Sequence, residues 1–158
     1  MEGILYPICI YENAGGGLMA IWFKEFTTDD LNKRGENTLA DFLGIKFTKV
    51  GDASLTAIMP ANERTKQPIG IIHGGANVVL AETIASTGAN AVIDLEKYYC
   101  VGLEINANHI RPVTEGVVTG VAHPIHLGRT TQVWHIEILN EAGKLTCVSR
   151  MTAAVVSR

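Results

Sequence analysis

His73-Gly74-Gly75-Ala76-Asn77-Val78-Val79-Leu80-Ala81-Glu82-Thr83-Ile84-Ala85-Ser86-Thr87-Gly88-Ala89-Asn90-Ala91 is the stretch that decides the fold. It opens on a flexible Gly-Gly pair and then carries apolar or small residues on nearly every face, with Glu82 its only charge. A helix that is apolar all round belongs inside a protein. Downstream the period changes to two. Val101–Asn108, Gly116–Pro124, Thr131–Asn140 and Leu145–Val156 are rich in Val, Ile and Thr and predict four strands. In the third, Trp134, Ile136 and Ile138 share one face while His135 and Glu137 take the other. The short connection Asn140-Glu141-Ala142-Gly143 predicts a hairpin between the third and fourth.

Upstream, Ser54–Met59 predicts a further strand, residues 61–70 a loop, and Asp29–Leu43 one or two short helices capped by Thr27 or Thr28. A single long apolar helix must be covered, and a curved sheet is the simple cover. The expected class is α+β, a long central helix wrapped by a curved antiparallel sheet.

Composition narrows the function classes. The 158 residues are 47% apolar and 18% charged, so the chain folds rather than staying disordered. A formal charge of −3 offers no basic field for nucleic acid or an anionic membrane. Cys9, Cys100 and Cys147 lack paired spacing and read as reduced thiols of a cytoplasmic protein. No apolar run reaches the roughly 18 residues that cross a bilayer. Met1 to Met19 carries Glu2, Glu12 and Gly15-Gly16-Gly17, a poor signal peptide. It reads as an extension, residues 1–19, outside a single domain over residues 20–158.

Glu82 raises the chemical question, because an ionised carboxylate among apolar neighbours is costly unless paired or put to use. The plainer alternative is a Glu satisfied by a neighbouring Thr or an ion pair. Ser86, four residues on, shares its face and suits orienting the carboxylate or a water; equally, it is a small residue allowing close packing. The N–H of Gly74, at the positive end of the helix, suits the oxyanion of an acyl transfer, though the glycines also serve a sharp turn. Gln67 offers an amide to a carbonyl or a water. His73 is placed to hold a thioester or protonate a leaving thiolate, and a loop histidine is also a common structural hydrogen-bonder. Gly74 and Glu82 stand about 12 Å apart along one helix, too far for one thioester. Two helices packed antiparallel about a twofold axis, meeting at Ala81, Ala85, Gly88 and Ala89, would bring Glu82 of one to Gly74 of the other. A homodimer with composite sites is expected.

The segment Gln67-Pro68-Ile69-Gly70-Ile71-Ile72-His73-Gly74-Gly75-Ala76 and the run Leu80-Ala81-Glu82-Thr83-Ile84-Ala85-Ser86 resemble the hot-dog thioesterases of the phenylacetate-pathway and Arthrobacter-type 4-hydroxybenzoyl-CoA group. Val101–His109, His126-Leu127-Gly128-Arg129 and Gln132-Val133-Trp134 look most like the bacterial 1,4-dihydroxy-2-naphthoyl-CoA thioesterases of menaquinone synthesis. The likeness runs from about Ile21 to the C-terminus. It implies a hot-dog fold and hydrolysis of acyl-CoA, with an aromatic acyl group favoured. Glu82 would be nucleophile or general base, and the Gly74 N–H would polarise the carbonyl. Gln67 and His73 would hold the reacting groups, and Ser86 takes the family's Ser or Thr position. The resemblance also implies tetramers built from two dimers, with no metal or redox cofactor.

For the CoA phosphates, Arg129 is the first candidate, with His126 beside it and Gly128 allowing close backbone approach. Three rivals remain. An enoyl-thioester hydratase or dehydratase is disfavoured because no histidine stands near Glu82 in the helix. A non-catalytic acyl-thioester binding module would need no acid there. A metal site at His123-x-x-His126, with His109 or His135, lacks the ligand pattern of a structural centre.

Overall fold

The computed structural model describes residues 20–158, and the expectation for residues 1–19 lies outside the described residues. Two short helices come first, α1 (Thr28–Arg34) and α2 (Leu39–Phe42). Thr27 caps α1 as expected. Its hydroxyl accepts from the Asp30 N–H at 3.2 Å, and the Asp30 carboxylate accepts from the Thr27 N–H at 2.9 Å. Such a capping box satisfies two otherwise unpaired donors. Those Thr27 hydrogen bonds hold the Asp30 carboxyl below its ordinary range.

Strands β1 (Lys46–Val50) and β2 (Leu55–Pro60) follow, then helix α3 (Gly74–Ala91). The chain ends in β3 (Tyr98–His109), β4 (Val117–Leu127), β5 (Thr131–Asn140) and β6 (Leu145–Ser157). The five strands read from the sequence are β2 to β6, each within three residues at either end, and His73 becomes the N-cap of α3 rather than its first turn. β1 was not foreseen. Its sequence, KFTKV, has a bulge between Phe47 and Lys49 that interrupts alternation, and its lysines suit an exposed sheet edge.

Among the described residues, the six strands are antiparallel neighbours in the order β1-β2-β4-β5-β6-β3, an open sheet with β1 and β3 at its edges. The expected hairpin joins β5 to β6, with Gly143 at φ 69° and its N–H bonded to Asn140 O at 2.8 Å. α3 lies across one face of the sheet. Leu80 and Ile84 approach Gly120 of β4, and Gly88 meets the ring of Trp134 on β5. Trp134, Ile136, Ile138 and Met151 are fully buried beneath the helix.

Two expectations need correcting. α3 is not buried on every side: Glu82, Thr83, Ser86, Thr87 and Asn90 stay half-buried on the flank away from the core. The small residues Ala81, Ala85, Gly88 and Ala89 are buried within the chain itself, Gly88 against Trp134. They are spent on helix-to-sheet packing and offer no surface to a second helix.

Candidate active site

The described residues gather the candidates into two half-sites and a turn. The first half-site surrounds Glu82. Its Oε1 accepts a 2.8 Å hydrogen bond from the Ser86 hydroxyl, the i,i+4 pairing that the spacing allows. On its other side stands Gly102 of β3, where a Cβ would lie only 2.8 Å from Glu82 Oε1. β3 carries a bulge between Gly102 and Glu104, which delivers the bare glycine to the carboxylate. Asn90 ties the strand to the helix: its Oδ1 accepts from Cys100 N at 2.9 Å, and its amide donates to Ser86 O at 3.0 Å.

The second half-site forms at the start of α3. The His73 Nδ1 accepts from the Gly75 N–H at 2.8 Å, so the proton of a neutral ring sits on Nε2, and the ring is exposed. Gly74 lies close under His109 at the far end of β3: a Cβ there would come 2.7 Å from Nε2, and the exposed ring would have to shift. The loop before His73 is pinned by a bridge between Lys66 and Ile72 and by His73 N bonding to Thr65 O at 2.8 Å. Gln67 folds back beside Ile71, its N–H bonded to Ile71 O at 2.9 Å, and its side-chain amide takes no partner among the described residues.

The two half-sites do not meet in one chain. Eight residues of α3 separate Gly74 from Glu82, about 12 Å along the axis.

His126 lies near the end of β4, and Gly128 and Arg129 lie on the turn that joins it to β5. The His126 ring folds over Gly128, where a Cβ would meet its Nε2 at 2.5 Å, and Arg129 is exposed. Register places this turn at the Glu82 end of the sheet, because Gln132 aligns with Ala153 and Ala153 with Gly102. Two strand spacings, about 10 Å, separate Gln132 from Gly102.

The histidines of the metal alternative stand apart. His123 faces His135 across β4 and β5 with ring centroids at 5.0 Å, His126 covers Gly128, and His109 covers Gly74. Burial and the neighbouring His135 push the His123 imidazole below its ordinary range. Among the described residues no three His, Cys, Asp or Glu side chains are grouped to hold a metal ion. Burial pushes the thiols of Cys100 and Cys147 up to about 11, which keeps both protonated and unreactive at neutral pH.

Sequence reading missed Gly102 and Asn90 and weighed His109 only as a metal ligand. A glycine in a strand reads as a weak spot, and nothing local to residues 98–109 says which side chain of α3 will come to rest on it.

A cavity of about 700 Å³ opens beside the first half-site, between α3 and the cover formed by α1, α2 and β1. Ser86, which holds the Glu82 carboxylate, stands in its wall. A long helix laid across one face of an open antiparallel sheet is the architecture of the hot-dog thioester hydrolases. The chain belongs to the thioesterase superfamily, whose family pattern matches residues 69–147.

Relatives sharpen the placement. The chain is 50% identical to the 1,4-dihydroxy-2-naphthoyl-CoA hydrolase of Escherichia coli over 136 residues, 86% of this chain and 99% of that one. A mutant thioesterase from Pseudomonas aeruginosa superimposes with a TM-score of 0.87 at 47% identity, covering 88% of this chain and 100% of that structure. A thioesterase from Haemophilus influenzae gives 0.84 at 47% identity, covering 87% and 95%. Among the described residues no helix is long and apolar enough to cross a membrane.

Proposed function

We propose that this enzyme hydrolyses acyl-CoA thioesters, aromatic acyl groups among them, with Glu82 as nucleophile or general base. The observation that carries this reading is the Glu82 carboxylate, seated against Gly102 and hydrogen-bonded by Ser86, which itself stands in the wall of the cavity of about 700 Å³. The likeness to a naphthoyl-CoA hydrolase supports an aromatic, hydroxylated acyl group.

In one route a Glu82 oxygen bonds to the carbonyl carbon, the C–S bond breaks, and CoA leaves as thiolate; water then cleaves the mixed anhydride. In the other, Glu82 takes a proton from a water whose oxygen attacks the same carbon. Either way one water is consumed, and the products are a carboxylate and the free thiol. The Gly74 N–H polarises the carbonyl, where negative charge develops. Gln67 steadies the carbonyl or the water, and His73 donates toward the departing sulfur. Single-turnover hydrolysis in oxygen-18 water separates the routes, since only the anhydride can leave label in the enzyme carboxylate. No metal or redox cofactor enters this chemistry.

Because the half-sites of one chain lie too far apart, each working site joins Glu82 of one subunit to Gln67, His73 and Gly74 of a second copy. The interface is the edge strand β3, which exposes Tyr98, Tyr99, Val101 and Leu103 and, among the described residues, leaves one row of backbone groups without a neighbouring strand. This replaces the helix-to-helix contact that the small residues of α3 suggested. Arg129 and His126 take the CoA phosphates, with Gly128 letting the backbone come close.

The decisive assay is thiol release from a panel of aromatic and aliphatic acyl-CoAs. Glu82→Ala should lose at least about a hundredfold in kcat while remaining folded. Arg129→Ala should raise KM with little effect on kcat, the mark of uniform binding. An enzyme that binds the esters but releases no thiol would be an acyl-thioester binding module. Loss of enoyl absorbance without thiol release would make it a hydratase.

A further inference from the structure

Phe26, Leu31, Ile45 and Phe47 give the cavity beside Ser86 apolar wall on the side facing α3. Of its charged residues, Lys24 and Lys46 are ion-paired to Glu96 and Asp41, while Glu25 and Arg34 lie exposed to solvent. The neutral polar side chains can be accounted for one at a time. Asn32 bonds both the N–H and the carbonyl of Phe47, at 2.8 and 3.0 Å. Thr38 donates to Gly35 O at 2.6 Å. Ser86 donates to Glu82, and Thr87 donates to Thr83 O at 2.7 Å. Asn90 is committed to Ser86 O and Cys100 N. Thr83 alone among them keeps a hydroxyl with no partner among the described residues. A helical threonine usually turns its hydroxyl back to the carbonyl four residues earlier, as Thr87 does here.

Thr83, Ser86 and Thr87 share one face of α3. Thr83 stands three residues from Ser86, about 4.5 Å along the axis, roughly the width of one aromatic ring. We propose that Thr83 is a specificity-determining residue that reads a hydroxyl on the ring of the acyl group lying in this cavity. The proposal rests on the thioesterase reading above and adds where the acyl group lies and which residue selects it. A pocket with aromatic and aliphatic walls, whose half-buried neutral polar side chains are all committed except one hydroxyl, favours a bulky ring system bearing a hydrogen-bonding substituent over a plain hydrocarbon of the same size.

The test uses matched pairs of esters, benzoyl-CoA with its ring-hydroxylated isomers and 2-naphthoyl-CoA with 1-hydroxy-2-naphthoyl-CoA, against wild type, Thr83→Val and Thr83→Ser. Valine keeps the branched shape and removes the hydroxyl; serine restores it. The expected result is that Thr83→Val loses about five- to tenfold in kcat/KM on a hydroxylated ester, as one neutral hydrogen bond is worth. It should leave the plain partner unchanged, and Thr83→Ser should recover the preference. An equal loss on both members of every pair would make Thr83 a packing residue and overturn the proposal. So would an unchanged preference in Thr83→Val. Wild type that turns over aliphatic esters and no aromatic one refutes the proposal while leaving the hydrolase intact. Wild type that releases no thiol from any ester refutes the hydrolase reading and this proposal with it.

Discussion

Gly102 shows how a residue with no side chain of its own can belong to a site. The Glu82 carboxylate occupies the space a Cβ would fill, 2.8 Å from Oε1. The obstructed atom is the end of a flexible side chain, so Gly102→Ala should cost the fold little. It should push the carboxylate off the Ser86 hydroxyl, and a misplacement of about 1 Å can cost a hundredfold in rate. The expected outcome is a melting temperature close to wild type and a kcat reduced at least tenfold, checked by thermal melts beside the thiol assay. A kcat equal to wild type would mean that the carboxylate does not work from the seat described here. Glu82 and Ser86 were legible in the sequence because helical spacing alone places them together. Gly102 and His109 were not, because each meets α3 only through the position of β3.

Among the elements, α3 is set by its contact with β5. Trp134 is fully buried, and its indole N–H donates to Gln132 Oε1 at 2.9 Å. The Gln132 amide in turn donates to Ala89 O at 3.2 Å, near the C-terminal end of α3. Gly88 lies against the benzo ring, where an added Cβ would come 2.7 Å from Trp134. A buried indole held by a hydrogen bond has little room to move, so Gly88→Ala overpacks the joint. The expected loss is about 1–3 kcal/mol, read as a fall of about 2–4 °C in melting temperature per kcal/mol. A neutral substitution would show that the ring can shift.

The strands of the second half were read closely because their alternation is long and regular. β1 escaped because an edge strand with one buried residue and a bulge has no alternation to read.

At the scale of the molecule, the exposed edge of β3 is the surface most in need of a partner. Leu103 is 61% exposed on the bulge next to Gly102. A charge there should oppose strand pairing between copies. Leu103→Lys is expected to shift the enzyme toward monomer in sedimentation and to lower activity in proportion, with activity rising again at higher protein concentration. A monomer with full kcat would refute the composite site, and an oligomer of unchanged size would move the interface elsewhere.

The sequence by itself determined the long apolar helix, the period-two strands after it, the hairpin at Asn140–Gly143 and the pairing of Glu82 with Ser86. These are local consequences of periodicity and spacing, which a chain carries wherever it folds. Only the tertiary structure decided that β3 is an edge, that Gly102 seats the carboxylate, that the small residues of α3 face its own sheet, and that Thr83 opens into a cavity under α1 and α2. Those are contacts between segments distant in the chain, and they follow from strand order and register, which the alternation of one strand does not encode.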